Sequence, residues 1–514
     1  MADAVNSKIE RLGGMRDVLP AEYERRRMAW EAIRQVFYNF GYKGIEAPIL
    51  ENVDLHLRKS GEAIRRHMYV FEDLGHDMLC LRPELTASVV RMYNNEMTQE
   101  PLPQKLFYHG STFRYDRPQA GRYREFTQAG VEIIGAKGPE YDAEVLALTC
   151  SIMDALKVED YELVIGSIGI VYNLLDKENI EERARNLIIE KLDDLGKSED
   201  VAAGIAEIQD GLQAIGVRFD NPEDAQGELV EAVRRIDNED VRKLIIWLLE
   251  KVYADAAAGR EFTEVADNLI AQLSRDQQGP RIKRILEFIG KLRGISGRPD
   301  EAIPAARKLL EEYGVNAEPL DNLDAIAGYL KSYDIDWSRA RIDFGFGRGL
   351  QYYTGMIFEI HCRTEKMGAS SQVCGGGRYD ALIKDLGGFE DRPSLGFSFG
   401  LERLLMAVDD AIFEQPRLDA LVAPIGDAKV FNYAITIAHK LRSNGFAVDI
   451  GPGKAKPRDL TGMANRLNAR FALFVGDDEL EKGIVTVKEM DSGTQTTCLV
   501  DELAENLSKP VGVS

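Results

Sequence analysis

Near its start the chain repeats large apolar residues at spacings of three and four: Trp30, Ile33, Phe37 and Phe40. That period places them on one face of a helix predicted over residues 21–40, which ends before Gly41. A strand is expected at residues 44–50, and Pro48 within it marks an edge or an interface, because proline has no N–H for a ladder. Two runs rich in aromatic and β-branched residues follow, 106–114 and 126–134, and the Pro- and Gly-containing segment between them predicts an antiparallel hairpin. Gln128 and Glu132 are four residues apart on the second run, so the two-residue period of a strand turns them to one face and Val131 and Ile133 to the other. One face is therefore polar and can line a pocket.

A helix is expected at 139–156 and a strand at 162–165. Residues 171–333 are then dense in Glu, Leu, Ala, Arg and Lys at helical spacing, which predicts an inserted helical domain. Strand signals return at 340–346, 356–361 and 372–373, followed by a glycine run at 375–377 and a helix from Tyr379. Pro393 and Gly396 precede a run at 397–408 that continues as a helix, and the acidic, proline-marked residues 409–416 form a boundary. Beyond it, residues 418–425, 428–441, 446–450, 457–468 and 471–475 alternate strand and helix, the rhythm of a small α/β domain with parallel pairing.

Length changes this picture little: 514 residues suggest about three domains. Charge matters more. With 64 basic and 85 acidic residues the net charge is −21, which argues against nucleic-acid binding through bulk electrostatics and leaves local basic patches to do it. One candidate patch is Arg281, Lys283, Arg284, Lys291, Arg293 and Arg298, faced in sequence only by Glu287; it is either a grip for an RNA backbone or a solvated helix face. The first residues show no apolar signal core and no apolar run reaches spanning length, so cytoplasmic residence without membrane contact is expected. Five cysteines without a CxxC pair and six scattered histidines predict reduced thiols and no structural zinc.

The segment 113–135, FRYDRPQAGRYREFTQAGVEIIG, concentrates Arg114, Arg117, Arg122 and Arg124 around the hairpin loop. Planar guanidinium groups match phosphate oxygens bidentately; the alternative is a solvated arginine-rich hairpin. The segment resembles motif 2 of class II aminoacyl-tRNA synthetases, in the form found in the histidyl-tRNA synthetase family. Four further segments are similar to that family. They are LRPELTASVVR around Glu84, GRGLQYYTGMIFE at 347–359, CGGGRYDAL at 374–382, and PSLGFSFGLERLL at 393–405. The helix and strand at 21–50 resemble motif 1, a dimer contact, and 418–507 resembles the anticodon-binding domain.

The resemblance implies an α+β fold: a class II antiparallel sheet as catalytic core, a helical insertion and a C-terminal α/β anticodon-binding domain, in a homodimer. The divisions expected are 1–170 and 334–410 for the core, 171–333 for the insertion and 417–514 for the anticodon-binding domain. It implies activation of L-histidine with ATP and Mg²⁺, the metal carried on the phosphates, and transfer of histidine to tRNA(His). Glu84, Leu85 and Thr86 would meet the amino acid, Glu84 taking its ammonium. Gln128, Glu132, Tyr352 and Tyr353 would form the imidazole pocket, where a carboxylate and a hydroxyl together read both ring nitrogens. Arg114 and Arg348 would be catalytic, at the substrate carboxylate and α-phosphate, with Arg122 and Arg403 on the outer phosphates. Arg117 and Gln119 of the loop, and Lys454, Lys456, Arg458, Arg466 and Arg470 near the C-terminus, would contact tRNA. An arginine such as Arg403 in an apolar helix is otherwise most often paired with a nearby carboxylate, here Glu402. Gln351 stands where many family members have aspartate, and Thr127 where bacterial members often have histidine. A related histidine-binding subunit that regulates ATP phosphoribosyltransferase shares phrases such as YREFTQAGVE, and remains the alternative function.

Overall fold

The computed structural model describes residues 9–60, 62–117, 121–197, 200–217, 219, 243–248, 278–346, 352–367, 371–413, 417–453 and 455–507. The chain forms two compact units, Met1–Ile412 and Phe413–Ser514.

Among the described residues, the larger unit is built on a nine-stranded sheet. Across it run β1 (Lys43–Gly44), β5 (Gln104–Phe113), β6 (Glu125–Ile134), β12 (Ser394–Gly400), β11 (Gln372–Arg378), β10 (Met356–Cys362), β7 (Tyr161–Ser167), β9 (Ala340–Asp343) and β8 (Ser296–Gly297). Neighbours are antiparallel except β1 with β5 and β7 with β9. The expected hairpin is β5 and β6, ten residues each in register from Gln104 opposite Ile134 to Phe113 opposite Glu125. Its apolar face is fully buried at Ala129, Val131 and Ile133. The first helix, Pro20–Asn39, lays Ile33 and Phe37 against this face, with the Phe37 ring 5.2 Å from Phe107. Pro139–Ala155 packs beside it and in turn receives the helix Glu318–Ser332.

Several elements differ from expectation, each for a physical reason. The strand at 44–50 is two pieces. Lys43–Gly44 pairs with β5, whereas β2 (Leu50–Asn52) joins β4 (Met78–Leu81) and β3 (Tyr69–Glu72) in a separate antiparallel sheet. Around Pro48 the ladder is replaced by a side chain: the buried Arg82 guanidinium donates to the carbonyls of Ala47 at 2.6 Å and Pro48 at 3.1 Å, and to Ser111 at 2.9 Å. The glycine run 375–377 lies in the middle of β11, and 397–400 is strand β12 rather than helix. The helix begins only at Leu401. A Cβ on Gly376 would strike the carbonyl of Gly396 and the Phe397 and Phe358 side chains, so close strand contact, not flexibility, explains glycine there.

The helical stretch contains one strand among its described residues, β8, whose two residues pair with β9. Three residues of its positive island meet acids outside that run of charge. Arg284 meets Glu178 at 3.1 Å, Lys291 meets Glu312 at 2.7 Å, and Arg298 lies 3.5 Å from Asp300. No described helix is long and apolar enough to cross a membrane.

The second unit carries β14 (Val448–Ile450), β13 (Ala420–Pro424), β15 (Phe471–Val475), β16 (Ile484–Glu489) and β17 (Gln495–Leu499) in one sheet. The expected parallel pairing holds for β13 with β14 and β15, but an antiparallel hairpin, β16 and β17, extends it. Helix Ala428–Ser443, capped by Asp427, buries Ile437 and Leu441 against it.

Gly376→Ala is expected to lower the stability of the larger unit by about 1–3 kcal/mol through overpacking, read as a fall in its thermal or urea midpoint.

Candidate active site

The polar face of the hairpin continues across further strands. Gln128 and Glu132 of β6 stand opposite Gly400 and Gly396 of β12, and Gly396 stands opposite Gly377 of β11. Small residues at these positions leave open space above the sheet, a cavity of about 450 Å³. Its lining brings together Glu84, Thr86, Arg114, Arg122, Gln128, Tyr352, Tyr353 and Arg403, residues scattered over more than three hundred positions of sequence.

One end is acidic and aromatic. Glu84 caps the helix Thr86–Met92, accepting from the backbone N–H of Thr86 at 2.8 Å and Ala87 at 3.0 Å. Lys59, from the helix Val53–Ser60, reaches the same carboxylate at 2.8 Å. Burial pushes the Glu84 carboxyl up, but the Lys59 charge and the neighbouring His56 ring overcome it and hold the group well below the usual carboxylate range. The Gln128 amide is oriented on both sides: its oxygen accepts from the Leu85 N–H at 3.2 Å and its nitrogen donates to Ser398 Oγ at 3.3 Å. Tyr352 and Tyr353 stand side by side, ring centroids 4.5 Å apart.

Glu132 lies just behind this lining and is almost fully buried. Its carboxylate accepts from the hydroxyls of Tyr108, at 3.0 Å, and Tyr379. Gly396 makes room for it, since a Cβ there would overlap the carboxylate. Burial pushes the Glu132 carboxyl up to about 7, opposed by the Tyr379 hydrogen bond and, more weakly, by Lys59. It therefore changes charge near neutral pH.

The other end is cationic. Arg114, just beyond the end of β5, donates Nε to the Pro83 carbonyl at 2.9 Å and packs over Phe126. Arg403 projects from the helix Leu401–Ala407; burial and the nearby Arg122 lower it to about 10, against the opposing charge of Glu359. Glu402 is not its partner. That carboxylate is buried against Arg26 at 2.7 Å and the Thr127 N–H at 2.9 Å, and so ties the first helix to β6. Arg124 is likewise engaged with backbone, since it donates to the carbonyls of Asp116 and Gly13 and stacks over Tyr115. Arg117 is exposed and outside the cavity lining.

Arg348, Gln351, Gln119 and Lys454 lie outside the described residues. Lys456 and Arg458 are at the start of the helix Pro457–Arg466 in the second unit, with Arg458 exposed. Arg470, close to them in sequence, is instead directed at Asp419, 3.5 Å away. Sequence reasoning missed Lys59, Tyr108 and Tyr379. Tyr379 sits inside the CGGGRYDAL segment and Tyr108 shares strand parity with Gly110 opposite Gln128, so both were findable; for Lys59 no local signal exists.

A largely antiparallel sheet whose polar face joins a carboxylate end to an arginine end, with a separate α/β unit, is the architecture of a class II aminoacyl-tRNA synthetase. Comparison with known proteins narrows this. A family model described as histidyl-tRNA synthetase matches residues 14–265 and 213–404, and one described as anticodon binding domain matches 419–509. The histidine–tRNA ligase of Methanocaldococcus jannaschii is 34% identical, covering 95% of this chain and 97% of its own length. That of Pyrococcus furiosus is 33% identical over 97% and 98%. The apo histidyl-tRNA synthetase of S. aureus superposes with a TM-score of 0.64 at 26% identity, covering 98% of this chain and all of that one. The chain belongs to the histidyl-tRNA synthetase family.

The titration of Glu132 can be followed by infrared spectroscopy. A protonated-carboxyl band absent in Glu132→Gln is expected to disappear with rising pH around 7. Tyr379→Phe, which removes a donor to the charged form, is expected to move that midpoint upward.

Proposed function

We propose that the chain is an ATP-dependent histidine–tRNA ligase. The observation that carries this is the division of one cavity into a carboxylate and tyrosine end and an arginine end, in a chain with full-length ligase relatives. Glu84 receives the substrate ammonium, and Gln128 with Tyr352 and Tyr353 encloses the imidazole, with the Glu132 carboxylate just behind them. The histidine carboxylate attacks the α-phosphorus in line; a C–O–P linkage forms as the bond to pyrophosphate breaks. Arg114, with Arg348, neutralises charge developing at the α-phosphate, and Arg122 and Arg403 hold the outer phosphates, on which Mg²⁺ is carried. The terminal ribose hydroxyl of tRNA(His) then attacks the acyl carbon, and AMP leaves.

Lys454, Lys456 and Arg458 serve in binding the anticodon part of tRNA(His), and Arg117 and Gln119 in binding its acceptor end. The core comprises 1–170 and 334–410, the insertion 171–333 and the tRNA-reading domain 417–514. Exposed Tyr23, Tyr38, Ile49 and Leu50 on the first helix and its following segment supply apolar surface for a homodimer. The enzyme works in the cytoplasm. The regulatory-subunit reading is not favoured, because the domain at 419–509 that such subunits usually lack is present.

Purified protein is expected to exchange pyrophosphate into ATP with L-histidine and not with the other amino acids. Arg114→Ala and Arg403→Ala are each expected to reduce the exchange rate by about 100-fold, the typical cost of one group that stabilises transition-state charge. Lys456→Ala with Arg458→Ala is expected to raise KM for tRNA(His) while leaving exchange unaltered. Histidine binding without exchange would overturn the ligase reading.

A further inference from the structure

Lys59 is a buried ammonium in the wall of the amino-acid end of the cavity. Its side chain is only 2% exposed, and Nζ lies 2.8 Å from Glu84 Oε2 and 4.1 Å from the centre of the Tyr352 ring. A carboxylate on one side and an aromatic face on the other is the recognition set for an alkylammonium ion. Glu84 cannot turn to accommodate a second one. Its Oε2 also takes the Thr86 N–H and its Oε1 the Ala87 N–H, which lock the carboxylate to the start of a helix, and the His56 ring stands 3.6 Å from Oε1. Lys59 already shares Oε2 with the Thr86 N–H, so a second ammonium brought to this small carboxylate would lie close to the Lys59 charge and be repelled by it.

We propose that Lys59 is a positioning residue that occupies the α-ammonium subsite in the free protein, and that the amino acid binds by exchanging its own ammonium for that of Lys59. This rests on the reading of Glu84 as the acceptor of the substrate amino group. Free protein then holds the site as a self-neutralised pair, and only a ligand carrying both an ammonium and a group that fits the tyrosine-lined end recovers what is lost on displacing Lys59. Simple amines lack the second half. Lys59 sits in the last turn of a short helix, Val53–Ser60, so a small movement of that turn suffices. The apparent affinity for amino acid is reduced by the fraction of protein in which the lysine has left.

Lys59→Met is therefore expected to lower KM for histidine by about tenfold, with KM for ATP as internal reference, while the free protein melts at a lower temperature and saturating L-histidine restores the melting point. A lysine that merely supported the fold would, on removal, raise KM instead. Glu84→Gln serves as the second arm. If it raises KM for histidine while Lys59→Met leaves KM unchanged or higher, the exchange is wrong and the Glu84 assignment stands. If Glu84→Gln leaves KM unchanged, the assignment of Glu84 itself fails, and the exchange with it. Should Lys59→Met not fold, acetic anhydride labelling of the unaltered protein decides. Acetylation of Lys59 rises on adding saturating L-histidinol if the lysine is displaced, and unchanged or deeper protection overturns the exchange.

Discussion

The register of β12 between β6 and β11 is the constraint on which the rest depends. With Gly396 opposite both Glu132 and Gly377, and Gly400 opposite Gln128, the polar face of the hairpin meets a face of small residues and a cavity results. A one-residue slip of β12 would turn Phe397 and Phe399 into that space, and the same slip of β6 would turn Glu132 toward Ile33 and Phe37. The slip is blocked from the other side of the sheet, where Val131, Ile133, Phe397 and Phe399 are buried among the aromatic side chains beneath the first helix. The same pairing delivers Arg403, because the helix that carries it starts directly after the last residue of β12.

Around this frame the charges are sorted by burial. Arg82, Arg124 and Glu402 are consumed in holding backbone: the broken strand at Pro48, the hairpin loop and the start of β6 beneath the first helix. Glu84 and Glu132 are held at one end, the first by a cation and two amides, the second by two tyrosine hydroxyls. Arg114, Arg122 and Arg403 gather at the other, where burial and the nearby Arg122 depress Arg403. A phosphate would relieve that repulsion, which is why the arginine end suits a polyanion despite a net charge of −21 on the whole chain.

Elements with strong periodicity were legible from the residues alone. The hairpin, the helix Pro20–Asn39, the helix Pro139–Ala155 and the parallel centre of the second unit all follow from spacing of apolar residues. The strand expected at 44–50 was misread because Arg82, far along the chain, takes over its carbonyls at Pro48. The short run at 397–400 looks like helix locally, yet it lies in a central strand where flanking strands supply the pairing, beside the glycines at 375–377 where neighbouring rings demand the absence of Cβ. What the positive island at 281–298 meets was not legible either, since Glu178 and Glu312 approach Arg284 and Lys291 from other parts of the chain.

By itself the sequence determined which residue types were available and, through the ordered segments from Glu84 to Arg403, the family and the chemistry that its members perform. Periodicity reports only the side of an element on which a residue falls. Only the tertiary structure decided which of the arginines serve a cavity and which serve the backbone, that Glu132 answers to Tyr108 and Tyr379, and that Lys59 stands against Glu84. Those outcomes depend on distances between elements far apart in sequence, set by strand register and helix packing, and no local pattern carries that information.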